Sequence, residues 1–346
     1  MFDLHDLPRL LDQVIELAVQ AGLLIEKELA RPDGPRGGGD KAEVDVEIEE
    51  MLRPELLQLL ACDFVGEETG IILTGHPFAW VVDPNDGTSD FLKGRPGSAI
   101  SIGLLRDGVP VLGVVYAPVS GRGPDCIAWA EGLPTLLRNG QPFSRDMNSA
   151  KLSSDAVVFV SYSAHLKPEA NAALCQPAMF HPMPSIAYRL ARVAAGDGVA
   201  AVSLYSISTY DVVAGHALLR GVNGDIWNEQ GELLRYASAT EFSQPLRFCF
   251  GGGPAVCVEL LSRPWASLLD PTSTAEASRG KPSDLVFSEF LTLAIDVLGS
   301  EKIAMDWLHR PALGLSGAIP IDLLCNARGQ AQVSDFLLRL RHGVYQ

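Results

Sequence analysis

The stretch "WVVDPNDGTSDF" (80–91) concentrates the residues most able to do chemistry. Asp83, Asp86 and Asp90 crowd around Pro84, Asn85 and Gly87, directly after an apolar run. Carboxylates at the end of a buried strand are costly without partners. Two of them three positions apart on a turn can converge on one point, and such oxygen ligands suit hard divalent cations, Mg²⁺ above all. The same residues can also build an Asx turn with a helix cap. "VGEETG" adds Glu67 and Glu68, and "STYDVVAGHALL" places Asp211 at a predicted helix start, where capping is the plainer role. Together, Glu67, Asp83, Asp86 and Asp211 form an oxygen-only set suited to two or three Mg²⁺ ions. Metal-assisted hydrolysis, including that of phosphate esters, is one chemistry such a set can support. Monoesters are very slow to hydrolyse in water. A metal lowers the pKa of bound water, and a pair stabilises attacking and leaving oxygens. Gly87 and Thr88 can offer backbone N–H groups to a phosphate at a helix start. No Cys or His stands in a motif for a covalent nucleophile.

The elements that must hold these residues are legible. Val14, Leu17, Ala18, Ala21, Leu24 and Ile25 fall at helical spacing within 10–29. "EVDVEIEEMLRPELLQLL" predicts a second helix, and "FAWVVD", "SAISIGLL", "VPVLGVVYA", "AVVFVSYS" and "AVSLYS" predict strands. "SIAYRLARVAAGD" and "DVVAGHALLRGVNG" predict helices ending at glycine turns. The irregular alternation points to mixed α/β layers rather than a pure parallel sheet. Around 270 the texture becomes rich in Pro, Ser, Thr and Ala and reads as a linker. Beyond it lies a helical stretch, then two short helices split at Gly329.

The chain has 346 residues, 47% of them hydrophobic and 20% charged, consistent with a globular protein of more than one domain. A net charge of −15 argues against a nucleic-acid surface. No run of about 18 apolar residues predicts a membrane span, and "MFDLHDLPRLLDQVIELA" lacks the pattern of a secretory leader, so a cytoplasmic protein is expected. The cysteines, Cys62, Cys126, Cys175, Cys249, Cys257 and Cys325, form no CxxC pair and read as reduced thiols.

"GEE", "DPNDGTSDF" and "YDVVAGHALL" resemble, in order, the three signature motifs of the lithium-sensitive inositol monophosphatase superfamily over about 10–268. "FLKGR", "DGVPVLGVVYAPVSG" and "AGHALL … GELLRY" are similar to its 3′-phosphoadenosine-5′-phosphate phosphatase branch. The resemblance implies a layered α/β/α/β/α sugar-phosphatase-like fold of the α+β kind. It implies metal ligation by Glu67, Asp83, Asp86, Asp211 and the backbone carbonyl of Asn85. It makes Asp45 and Thr88 the pair that orients and deprotonates the attacking water, with Glu68 supporting them. Gly87, Thr88, Lys93 and Arg189 become substrate contacts. Li⁺ inhibition and a homodimer are expected on the same ground. The departures concern the substrate side: Tyr210 stands for Trp, Ala42 loses a hydroxyl, Leu204 replaces a sugar-binding Glu, and "PSIAYR" replaces a Gly-Ser pair. His216 is expected to be a packed core residue.

Residues 285–346, through Trp307-Leu308, Pro311, Leu315, Gly317, Pro320, Leu323-Leu324, Gly329, Val333 and His342 to Tyr345, resemble the C-terminal toxin-binding domain of Xre/MbcA/ParS-type antitoxins. This implies a toxin-like protein partner; a module that only packs or dimerises is the competing reading. The expected organisation is a phosphatase domain over 1–268, a linker over 269–284 and a helical module over 285–346. The leading functional reading is a Mg²⁺-dependent phosphomonoesterase acting on a small phosphorylated metabolite, a 3′,5′-bisphosphate nucleotide or a sugar or inositol phosphate. The rival is a degenerate phosphatase fold serving as an antitoxin-like binding partner.

Overall fold

A computed structural model of the chain describes residues 6–236, 247–268, 284–310, 312, 315, 319–324 and 327–341. In chain order the first elements are α1 (Leu7–Leu29), β1 (Gly37–Gly38), β2 (Lys41–Ala42), α2 (Glu43–Leu59), β3 (Asp63–Gly66), β4 (Ile71–Ile72), β5 (Phe78–Asp86) and α3 (Thr88–Phe91). Then follow β6 (Ala99–Arg106), β7 (Val109–Ala117), β8 (Asp125–Ala130), β9 (Leu136–Arg138), β10 (Gln141–Phe143), β11 (Val157–Ser161) and α4 (Pro168–Cys175). Next come β12 (Met179–Met183), α5 (Ile186–Ala194), β13 (Ala200–Ser203), α6 (Thr209–Arg220), β14 (Asp225–Trp227), β15 (Cys249–Gly252) and α7 (Pro254–Leu261). The last helices are α8 (Asp284–Leu298), α9 (Glu301–Leu308), α10 (Pro320–Leu323) and α11 (Ala327–Arg341). The chain splits into two compact units, Met1–Ala266 and Ser267–Gln346.

In the first unit an eight-stranded sheet runs in the order β10-β9-β8-β7-β6-β5-β3-β4. It is antiparallel except where β3 pairs parallel with β5. The apolar runs that predicted strands are buried along almost their whole length in β5, β6 and β7, because helices cover both faces. Successive side chains point to opposite faces: Ile100, Ile102 and Leu104 join the core under α1 and α2, while Gly103 lies against Val213 of α6. A methyl group at Gly103 would meet Val213 Cγ1 at 2.6 Å, and one at Gly113 would meet the Ala214 carbonyl at 2.3 Å. Two bare glycines therefore let α6 lie directly on the sheet. On the far side of α5 and α6 is a five-stranded sheet, order β12-β11-β13-β15-β14, flanked in turn by α4 and α7. The layers are α/β/α/β/α, as the resemblance implied. No helix among the described residues is long and apolar enough to cross a membrane.

The short strands β3, β4, β8–β10, β12, β14 and β15 were not read from the sequence. Most run fewer than five residues and exist through pairing with a longer neighbour rather than through their own pattern. Cys62, Cys126, Cys175, Cys249 and Cys257 are free thiols; Cys325 lies outside the described residues.

In the second unit Gly299 (φ +86°) ends α8, and Ala294, Ala304, Leu308, Leu324, Val333 and Leu337 form a small core of their own. The Trp307 and Phe336 rings stack with centroids 5.9 Å apart. The break expected at Gly329 lies earlier, because Gly329 is already within α11. A side chain there would collide with the Leu323 carbonyl at 1.9 Å, so this glycine serves close packing of α11 on α10 rather than a turn. The linker expected over 269–284 lies, apart from Asp284, outside the described residues, as do Pro311, Gly317 and the ending His342–Tyr345.

Candidate active site

Side chains three apart in a regular strand point to opposite faces, yet Asp83 and Asp86 converge. The register explains this: Asp83 pairs with Ser101 and Asp86 with Ala99, so β5 spends one more residue than β6 and bulges. The bulge sits at Pro84, which has no N–H to give the ladder, and the Asn85 N–H turns inward to the Asp83 carboxylate at 2.9 Å. Gly87 (φ +99°) then reverses the chain into α3, a conformation open to glycine at little cost. Asp211 arrives on α6, where it accepts the Ser208 N–H as a helix cap. Ser101, opposite Asp83 in the ladder, donates its hydroxyl to the Tyr210 carbonyl at 3.2 Å and so ties the start of α6 to the strand. The capping role and convergence on Asp83 are thus compatible in one residue.

Carboxylate oxygens of Asp83, Asp86 and Asp211 lie within 4.8 Å of one another. The Glu67 side chain hydrogen-bonds with Asp83. Burial first, then mutual repulsion, pushes these acids upward: Glu67 to about 8 and Asp211 to about 7, with Asp83 well above the carboxylate range. Asp86 is raised as well, opposed by hydrogen bonds from Ser185 Oγ at 2.5 Å and Ala187 N at 2.6 Å at the start of α5. Arg189 is the counter-charge that acts on both Asp86 and Asp211.

Beside this cluster, Asp45 near the start of α2 accepts from Asn85 Nδ2 at 2.9 Å and Thr88 Oγ1 at 3.0 Å. Thr88 Oγ1 is also 3.0 Å from the Asn85 carbonyl. Burial lifts the Asp45 carboxyl to about 6. The buried Asn85 Oδ1 has no hydrogen-bond partner among the described residues. An all-oxygen donor set, crowded and short of positive charge, fits a hard divalent cation.

One expected position differs from the sequence reading. Arg189, expected to contact substrate, is 2% exposed. Its guanidinium donates to the carbonyls of Ser185 and Val202, and burial lowers its pKa to about 10. It sits behind the acids as structural charge. Lys93 is exposed on the loop after α3 and holds Ser89 at 3.2 Å. Glu68 is half-buried, and its backbone N–H donates to Glu49 Oε2 at 3.0 Å.

The sequence reading also passed over residues that matter. Fully buried Glu49 takes Thr69 through both its N–H and its hydroxyl, fixing the loop that carries Glu67. Its signal was weak, one acid among many in "EVDVEIEE". Ser185 was dismissed with the "PSIAYR" departure, yet it caps α5 through the Tyr188 N–H at 2.9 Å while gripping Asp86. A serine directly before a predicted helix is a capping signal and could have found it. His216 is a packed core residue, bonded to Tyr236 and Asp225 at 2.9 and 2.7 Å.

Residues 6–246 match the inositol monophosphatase family, and residues 293–343 match the antitoxin Xre/MbcA/ParS C-terminal toxin-binding domain. The chain is 28% identical over 221 residues to a probable inositol 1-monophosphatase ImpA of Mycobacterium tuberculosis, covering 61% of this chain and 80% of that protein. It is 31% identical over 176 residues to the 3′(2′),5′-bisphosphate nucleotidase CysQ of Salmonella typhimurium, covering 48% and 65%. In fold it resembles the inositol monophosphatase structure from Anabaena, with a TM-score of 0.58 at 24% identity, over 73% of this chain and 96% of that one.

Proposed function

We infer, for a chain that belongs to the inositol monophosphatase family and is a metal-dependent phosphoric monoester hydrolase, that it removes the phosphate of a small phosphorylated metabolite with water as nucleophile. The observation that carries this reading is the convergence of buried Asp83 and Asp86 with half-buried Asp211, under-compensated in charge. Glu67, Asp83, Asp86 and Asp211, with the Asn85 carbonyl, are the groups we assign to Mg²⁺. Four ionised carboxylates against the single guanidinium of Arg189 leave three negative charges, and with a phosphate dianion in place two or three divalent ions would bring the site near neutrality. When bound, the ions would supply a water of lowered pKa and charge neutralisation for the phosphate oxygens.

The chain's own part in the reaction is positional. Asp45, raised but still mainly ionised at neutral pH, accepts the Thr88 hydroxyl, so a water bonded to Thr88 can pass its proton to Asp45. Asn85 Nδ2 holds the other Asp45 oxygen and keeps the carboxylate from turning. Gly87 and Thr88 open α3 with backbone N–H groups for the phosphate. Ser185 and Ala187 fix Asp86.

For the substrate we favour a 3′,5′-bisphosphate nucleotide over an inositol phosphate, because Leu204 has no acceptor for sugar hydroxyls. For the tail, the match over 293–343 supports protein–protein contact with a toxin-like partner. Phosphate release from a panel containing adenosine 3′,5′-bisphosphate and inositol 1-phosphate, with Mg²⁺ and with chelator, tests the reading. Mg²⁺-dependent release favouring the bisphosphate is expected. A clear inositol phosphate preference would overturn the substrate assignment, and no release from any member would favour the binding-partner alternative.

A further inference from the structure

Next to the acids is a cavity of about 500 Å³ of opposite character, lined by Arg95, Arg122 and Arg192 together with Tyr162, His181 and Pro184. Pro184 stands between the two sites. Its neighbour Ser185 holds Asp86, and both Gly87 and Gly97 lie against the Pro184 ring. In a chain of net charge −15, this corner carries a positive surplus. Arg122, Arg138 and Arg192 share the one carboxylate of Asp197. Asp125 serves Arg138, and Asp90 serves Arg95. Four guanidinium groups thus face three carboxylates.

The arginines are also presented in a way that suits an anion. Arg95 lies over the Tyr162 ring at 4.6 Å, and Arg192 over the Phe159 ring at 4.7 Å. Stacking uses the face of the guanidinium; at the edge, Asp90 takes Arg95 Nη1 while Asp197 and Met183 Sδ take Arg192 Nε and Nη1, which leaves the remaining N–H groups for an acceptor. Arg122, with 56% of its side chain exposed, reaches Asp197 through Nη1. Burial and the nearby Arg192 lower the His181 pKa, and the charge of the cavity comes from its arginines. Lys93 and Arg189 do not line this cavity.

We propose that the cavity between Arg95, Arg122 and Arg192 is a second phosphoryl-binding subsite, one proline away from the hydrolytic acids. The inference rests on the phosphatase reading above and narrows it: a substrate with its scissile phosphate at Gly87–Thr88 places a second phosphoryl group on these arginines. A second source of the same chemistry is free phosphate, and the experiment separates the two.

The full chain is assayed with Mg²⁺ on adenosine 3′,5′-bisphosphate and on adenosine 3′-monophosphate, as wild type, Arg122→Ala and Arg192→Gln. Loss of one charge-assisted contact predicts that the ratio of KM for the bisphosphate to KM for the monophosphate rises about tenfold, with the change in KM rather than kcat. If the ratio holds but Arg122→Ala abolishes non-competitive inhibition by inorganic phosphate, the subsite stands and its ligand is free phosphate. In parallel, calorimetric titration of inorganic phosphate should find two sites in the wild type and one in Arg122→Glu. A single site untouched by Arg122→Glu, together with an unchanged KM ratio and unchanged inhibition, would overturn the proposal. An Arg122-dependent site in a protein that releases no phosphate from either nucleotide would keep the subsite and sink the phosphatase reading, so the two fail separately.

Discussion

Helix α5 joins two carboxylate clusters with opposite electrostatics. At its N-terminus, Asp83, Asp86, Asp211 and Glu67 crowd together with Arg189 acting on Asp86 and Asp211, and burial with mutual repulsion drives the acids upward. Just past its C-terminus, Asp197 is held by Arg122, Arg138 and Arg192, and these hydrogen bonds outweigh burial to drive it well below the carboxylate range. The residue type is similar; the burial is shallower at Asp197, and the supply of guanidinium differs. An acid matched within the fold stabilises the fold, whereas acids left unmatched cost stability and are retained for something the chain does not itself contain.

Substitution should separate the two ends sharply. Asp83→Asn or Asp211→Asn should reduce phosphate release by roughly a hundredfold or more, with melting in chelator no lower than wild type, since a repelling charge is gone. Melting as damaged as that of an Asp197 variant would show both clusters to be structural. Asp197→Asn is the converse case. Leaving three arginines without their carboxylate should cost about 2–4 kcal/mol, visible in denaturant titration, with the site acids untouched. The sign with pH follows from the depressed value: the contribution is complete above the ordinary carboxylate range and is lost as pH falls through and below it. The stability gap between wild type and Asp197→Asn should therefore be flat near neutrality and close in acid. A gap that widened in acid would contradict the assignment. The smallest effect is expected from removing residues 284–346. None of the site acids lies there, so metal-dependent release should survive, while capture of a protein partner should be lost. Activity that disappears with the tail would show the phosphatase unit to be incomplete alone.

Much of this was legible in the sequence because it is local. The apolar runs of β5–β7, the helical spacing of α1 and the DPNDGT turn each announce themselves within a dozen residues. The convergence of Asp83 and Asp86 was readable as a possibility, but its cause, the extra residue of β5 against β6, is a property of pairing and has no signature in either strand alone. Arg189 was misread for a related reason. A basic residue on a helix beside a site looks like a ligand contact until the second sheet is seen to bury it. The Arg122–Arg138–Arg192–Asp197 cluster joins residues up to 75 positions apart, and no spacing rule could have gathered them. Ser185, by contrast, carried a local capping signal that was passed over when "PSIAYR" was read only as a departure from a Gly-Ser pair.

The central claim is that Asp83, Asp86 and Asp211 are left unmatched for a divalent cation. Calorimetric titration of Mg²⁺ into the full chain, in two buffers of different ionisation enthalpy, tests it directly. Acids held partly protonated must release protons when a metal takes their oxygens. The account predicts Mg²⁺ binding accompanied by proton release in the wild type, and loss of both in Asp83→Asn. Absence of Mg²⁺ binding in the wild type, or binding that Asp83→Asn leaves intact, would contradict it.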